Sequence, residues 1–328
     1  METTKELLKE YIVKNNHIKI DELICSITDK LIDNISNKDL LSMKEHPNQD
    51  NIKRVVELYE VNSESIIELI AILIKYGDIK NNLHYQETIE EVFDKLIKSR
   101  KNETDGFGYI WKHLSNYPLL LLSYSTNIML LKKNEYKFLY KMMNLRYKQR
   151  SVGYDFTESL DITLPEAMNC YHLFNDINYM NVDIYQYLPD SDANKSDIQK
   201  RLVANNRVYK YFSSFLAHYF TNENDFSEYF DLYEYFLGLF FMDKRLTRSE
   251  KPPDRKLGTF APYGRRYWMY SESGRYFSYK DSIVYNFVQE TVNLNNDVIQ
   301  SGFFGSEKEE FNLAYEYYID LLRRLTGY

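Results

Sequence analysis

The stretch Trp111–Arg150, WKHLSNYPLLLLSYSTNIMLLKKNEYKFLYKMMNLRYKQR, decides the fold class. Tyr117-Pro118 reads as a helix entrance, because proline tolerates the first helical position, where its missing N–H would have no partner. From Pro118 to Leu131 nearly every face is apolar, through Leu119, Leu120, Leu121, Leu122, Tyr124, Ile128, Met129, Leu130 and Leu131. A helix apolar all round belongs inside a protein or in a membrane. This run falls short of the roughly 20 residues that a bilayer needs, and Ser123, Ser125, Thr126 and Asn127 interrupt it. It reads as the central core helix of a soluble domain. Lys132-Lys133-Asn134 turns the chain, and Glu135 to Arg146 returns as a second helix with Tyr136, Leu139, Tyr140 and Met143 on one face, a tight αα-hairpin.

Working outward, the same period of about 3.6 recurs along most of the chain. Residues 3–14 and 20–35 form two amphipathic helices, the second carrying Leu23, Ile24, Ile27, Leu31 and Ile35. The polar stretch 37–50, with His46-Pro47, reads as a linker. After a short helical run from Asn51, Asn62-Ser63-Glu64 offers capping oxygens for a helix through Ile66–Ile74 that Gly77 ends. Gln86–Lys98 is another helix. Beyond Arg150 the pattern breaks, and SVGYDFTESLDIT holds a short strand or an ordered loop. Helical blocks resume at Leu164-Pro165, Lys195–Ala204 and Arg207–Phe220. The aromatic run Phe226–Asp243 has apolar residues on most faces and should be largely buried. Asp281–Gln300 stops at Gly302, and Ser306-x-x-Glu309 reads as a capping box for the last helix. The fold expected is all-α, an irregular multi-helix array of helical hairpins with one long structured basic loop. Its domains are an N-terminal helical segment 1–50 and a main helical domain 51–328, possible to split near 151–194.

Composition narrows the function classes. Among 328 residues stand 31 Tyr and 19 Phe beside two Trp, and only 11 Gly and 7 Pro. So few glycines argue against a glycine-dependent nucleotide-binding α/β fold and against a turn-rich sandwich. A net charge of −7 gives the whole molecule no general attraction to nucleic acid or anionic membrane. The two cysteines, Cys25 and Cys170, define neither a disulfide framework nor a metal site, which fits a reducing cytoplasm. The N-terminus METTKELLKEYIVK has no apolar core of a secretory signal, and no transmembrane run appears. The histidines His17, His46, His84, His113, His172 and His218 are scattered without metal-ligand spacing. No phosphate-cradling glycine loop, G-x-S-x-G or Cys/His constellation is present. Neither a catalytic residue, nor a metal, nor a cofactor is therefore assigned, and an enzymatic role is not the expectation.

One stretch shifts sharply in composition. Lys244–Lys280 holds ten basic and three acidic residues, a local +7 that leaves −14 on the remainder. It interleaves guanidiniums with aromatic rings in Arg265-Arg266-Tyr267-Trp268 and at Arg275, with Arg248 upstream. Arginine offers paired donors to phosphate or carboxylate, and aromatic faces stack on bases. Arg248, Arg265, Arg266, Tyr267, Trp268 and Arg275 are thus the candidate partner-binding residues. The competing reading is that they neutralise the acidic surface of the fold itself, for example Glu228, Asp231 or Glu234.

Other residues carry a resemblance. These are Trp111 with Leu114, Tyr117-Pro118-Leu119-Leu120-Leu121-Leu122 with Tyr124, and Tyr136. Later come Ser196-Asp197 with Leu202, Phe230-Asp231-Leu232-Tyr233-Glu234 with Asp243, and Gly264-Arg265 before Tyr267. Over about residues 55–270 the chain resembles the large helical C-terminal region of bacterial defence-associated proteins. The N-terminal part of those proteins is a sirtuin-like, Toll/interleukin-receptor-like or ATPase effector domain. The resemblance implies a non-catalytic sensor or scaffold module of a prokaryotic antiphage defence system, cytoplasmic, binding a protein effector or a phage component. There is no room for an effector before Asn51, so the chain is expected to be a stand-alone member or part of a longer polypeptide. The alternative is a nucleic-acid or nucleotide-binding protein using the basic loop 244–280, with cryptic nuclease activity as a further possibility. An R265E/R266E variant separates the two readings of the arginines: preserved melting with lost partner binding marks a binding loop, and a lowered melting temperature marks structural arginines.

Overall fold

The computed structural model describes residues 2–36, 49–99, 114–150, 159–164, 208–248, 287, 289 and 297–325. Among the described residues the protein is all-α apart from one two-stranded ribbon. Two compact units divide it: Met1–Phe138 with Asn144–Ala193, and Leu139–Met143 with Asn194–Tyr328.

The first unit holds α1 (Glu2–Val13), α2 (His17–Ile35), α3 (Gln49–Tyr76), α4 (Leu83–Ser99), α5 (Tyr117–Lys132) and the start of α6 (Tyr136–Met143). The expectation for the central helix holds. Every side chain of α5 from Tyr117 to Leu131 is buried, with Leu120, Leu121 and Ile128 wholly enclosed. Pro118 sits in its first turn as expected. Its most extensive neighbour is α3, and the two run in the same direction: the Tyr117 hydroxyl donates to Glu60 Oε1 (2.7 Å) near one end, while Lys132 and Lys75 approach at the other. Helices α2 and α4 are also parallel to each other, since Asp21 meets Thr88 and Asp29 meets Lys95. Both oppose α3, as the contact of Asn34 with Asn62 and that of Tyr85 with Gly77 require. A helix α1 parallel to α3 completes the array, with Lys5 bound to the buried Glu68 at 2.7 Å.

Helix α3 corrects one expectation. Asn62-Ser63 starts no helix; α3 passes straight through it for 28 residues. Asn62 donates back to Leu58 O (2.7 Å) and accepts from Asn34 of α2 (2.7 Å), and Ser63 is buried. Both residues can cap, yet inside an apolar stripe from Ile52 to Ile74 the Asn62 amide bonds back within the helix and across to α2 instead. Past Met143 the helix expected to reach Arg146 gives way to β1 (Arg146–Arg150), paired antiparallel with β2 (Ser159–Thr163) in the register Arg146–Thr163 to Arg150–Ser159. The first linker lies outside the described residues except for its last positions, which belong to α3.

The second unit is built on α7 (Glu223–Arg248), preceded by a helical stretch over 208–215 and followed by α8 (Asp297–Gln300) and α9 (Lys308–Leu325). The aromatic run is buried as expected, including Phe226, Phe230, Tyr233, Phe236 and Phe240. Gly238 lets α9 come close, because a Cβ there would lie 2.1 Å from the Tyr318 ring. Gly302 takes a left-handed φ of 107° beside Tyr140, and stops α8 as expected. Ser306 does not cap α9. Its φ of 65° places it in a left-handed turn, and the extended Glu307 precedes the first helical residue instead.

Because α5 has no solvent face, Leu121→Ala leaves a cavity that α3 and α4 cannot close. Chemical denaturation should report a loss of about 2–5 kcal/mol; a variant that melts within a degree of the parent would show that the helix is not central.

Candidate functional site

The up-and-down course of the first unit brings three connections to one end. These are Lys14–Asn16 between α1 and α2, Gly77–Asn82 between α3 and α4, and Lys133–Glu135 between α5 and α6. Asparagine makes each of them. Asn15 (φ 50°) and Asn134 (φ 57°) adopt the left-handed conformation that asparagine tolerates after a helix. The Asn16 side chain accepts from Lys19 N at 3.2 Å and so starts α2. Asn82 N donates to Asp78 O (2.8 Å), closing the middle turn. Rigid helices thereby present three short turns on a common face, the arrangement in which binding residues most often occur.

At this end two imidazoles stack. His17 and His84 have ring centroids 4.4 Å apart at 10°, and Tyr85 meets His17 edge-on at 5.3 Å. His17 Nε2 lies 2.8 Å from Asn15 Oδ1 and 3.4 Å from Asn82 Nδ2. A nitrogen that donates to Asn15 cannot accept from Asn82, so the shorter contact is the hydrogen bond. His84 Nε2 lies 2.9 Å from Asp21 Oδ2, in ion-pair range but without hydrogen-bond alignment. Thr88 Oγ1 holds the other oxygen of Asp21 at 2.8 Å. The carboxylate thus lies against the His84 ring, and His17 stacks on that ring. Among the described residues no group of three metal-ligating side chains converges.

The same end carries exposed apolar groups and a crowd of ammoniums. Val13 (85%), Ile18 (71%), Leu83 (60%) and Tyr76 (52%) are four of the six large apolar side chains exposed among the described residues of this unit. Lys9 and Lys75 place their amines 5.9 and 5.6 Å from the Tyr76 ring centroid. Burial pushes the Lys75 amine down from its ordinary pKa, and the neighbouring Lys133, Lys132 and Lys9 push it further the same way.

Sequence reading treated His17 and His84 as isolated and missed this face. A signal was present: Asn15-Asn16-His17 and Asn81-Asn82-Leu83-His84 both set a histidine just after an asparagine pair at a helix start. Of the residues singled out in the basic stretch, Arg248 is the last residue of α7, and Lys244–Arg248 are helical rather than loop. Arg265, Arg266, Tyr267, Trp268 and Arg275 lie outside the described residues. Asp231 and Glu234, two of the acids offered as partners for the loop arginines, are buried at 3% and 1% exposure, and neither is free of partners. That is what the cost of an unpaired interior carboxylate demands. Compared with protein-family models, with curated proteins and with solved structures, the chain finds no match.

Asp243, also buried on α7, has a carboxyl pushed up to about 6, by burial first, with Lys244 lowering it and Glu310 of α9 raising it. The folded protein therefore keeps a proton that the unfolded chain releases from about pH 4 upward. Stability from this group is present below that pH and lost as pH rises through about 6. Denaturation of Asp243→Asn against the parent should show the variant's advantage growing between about pH 4 and 6 to on the order of 2–3 kcal/mol, then levelling. A difference independent of pH would contradict the assignment.

Proposed function

We propose that this chain is a non-catalytic sensor or scaffold module of a prokaryotic antiphage defence system, working in the cytoplasm, and that it docks a protein effector or phage component on the three-turn face. The observation that carries this reading is the gathering of Val13, Ile18, Tyr76 and Leu83 at the end where the three connections meet. Single exposed apolar residues are ordinary on any protein, whereas several around one structured set of turns mark an interaction surface. The resemblance to defence-associated helical regions supplies the biological setting. No helix among the described residues is long and apolar enough to cross a membrane.

A photo-crosslinking residue placed at Ile18 or Leu83, in the native cell during phage challenge, should yield one protein adduct identifiable by mass spectrometry. The same residue at Val61, exposed elsewhere on α3, should not. V13S/I18S should keep the melting temperature, since both side chains are exposed, and should abolish protection in a plaque assay. Full protection by that variant, with no site-specific adduct, would overturn the reading.

A further inference from the structure

Helix α1 is held to the first unit by little, and what holds it is specific. It packs on α3 and α2, yet among its described side chains Leu8 alone is buried, while Leu7 and Val13 are exposed. A helix of its length is marginal in water without a surface to lie on. Lys5 Nζ donates to Glu68 Oε1 of α3 at 2.7 Å, and the Lys9 amine stands 5.9 Å from the Tyr76 ring centroid. Glu68 is 4% exposed. An ionised acid so enclosed needs a cation against it. The seat on α3 therefore demands an arm with a lysine at this position and a leucine three residues on. Burial pushes the neighbouring Glu64 carboxyl up, with Glu68 and Glu60 adding to the shift and Lys5 opposing it. The Lys5 charge is thus felt by two acids of α3.

The connection from α1 to α2 can straighten. Lys14-Asn15-Asn16 contains neither glycine nor proline, and Asn15 (φ 50°) and Asn16 (φ −89°, ψ 79°) leave the helical conformation. Asparagine tolerates the left-handed turn at some cost, which an ordinary helix relieves. With both residues helical, α1 and α2 become one helix and α1 swings off its seat. The vacated seat then holds a buried acid without its cation. A second copy's α1, with its own Lys5 and Leu8, fits that seat by identity. We infer that α1 is an exchangeable arm: two copies of this chain open at Asn15-Asn16 and trade α1, each placing its Lys5 on the other's Glu68. Reciprocal exchange recreates the Lys5 and Leu8 contacts while removing both left-handed turns. Such exchange is a low-cost route to a dimer, and short strained hinges promote it. The second copy thus completes the α3 seat. The inference goes beyond the docking reading and uses none of its four apolar anchors.

Charge reversal on either side of the pair tests this in the full chain. K5E reverses the arm and E68K reverses the seat, so each alone opposes like charges in the closed form. Exchanged between one copy of each, the arms regain both opposite-charge pairs. Native mass spectrometry of an equimolar mixture should show the heterodimer, with either homodimer at most about a tenth as abundant. K5E/E68K in one chain should dimerise as the parent does. A mixture of the two folded variants that stays monomeric, or that pairs at random, would overturn the exchange. A second comparison leaves the charges alone and decides the matter if E68K fails to fold. N15A and N15G both lose the Asn15 amide's contacts with His17 and Tyr85, but glycine favours the left-handed turn and alanine the continuous helix. Two hinges open per dimer, so sedimentation should find N15A dimerising at least about tenfold more strongly than N15G. Equal constants, or monomers throughout, would count against the exchange. The docking reading is judged separately, because none of these variants changes Val13, Ile18, Tyr76 or Leu83.

Discussion

Everything in the first unit follows from the need to enclose one helix. Helix α5 has no polar face, so it must be covered on every side, and α3 supplies the longest cover by running beside it in the same direction. Seven aliphatic side chains, Leu119–Leu122, Ile128, Leu130 and Leu131, are removed from water there. At about 1.5–3 kcal/mol each, their gross burial is of the same order as the roughly 5–15 kcal/mol net stability of a whole domain. Parallel neighbours cannot be joined by a short turn. The chain must travel back between them, and α2 and α4 are the two returning helices that oppose α3.

Charge inside the fold obeys the same economy of burial. Glu68 is buried on α3 and meets Lys5, and Glu64 between it and Glu60 is pushed up by burial first and then by those two carboxylates. Asp231, Glu234 and Asp243 lie inside the second unit on α7. A helix that places acids within an aromatic core keeps them paired or lets them hold a proton, and Asp243 takes the second course in part.

What was legible in the residues was periodicity and burial. The apolar run of α5, the stripe of α4 and the aromatic faces of α7 have alternatives that cost several kcal/mol, so local pattern and final structure agree. Capping signals were less reliable because their chemistry is ambiguous. Asn62-Ser63 and Ser306 own the right oxygens, yet the Asn62 amide N–H turns back onto Leu58 O and its oxygen accepts from Asn34, and Ser306 sits one residue too early in a left-handed turn. Met143 to Arg150 misled for another reason: the polar run RYKQR has no helical stripe to hold it, and pairing with Ser159–Thr163 satisfies its backbone. Contacts across long separations, such as His17 on His84, leave no periodic trace at all. Only the twice-used asparagine pair hinted at them.

The position of the three-turn face is a consequence of topology. Three helices run up and two run down, so the C-terminal ends of α1, α3 and α5 and the starts of α2 and α4 share one end. Rising helices deliver carbonyl ends that draw lysines, which places Lys75 and Lys132 there. The tight returns demand left-handed residues, which places Asn15 and Asn134 there. The first turns of the descending helices set His17, Ile18, Leu83 and His84 at the rim, where the core cannot reach them. A mixed surface of cations, amides, imidazoles and aliphatic groups is thus assembled by the backbone course of the bundle. The aliphatic part is the one component that this course does not require. Val13, Ile18 and Leu83 are each more than half exposed, so the enclosed core does not call for apolar side chains at these positions.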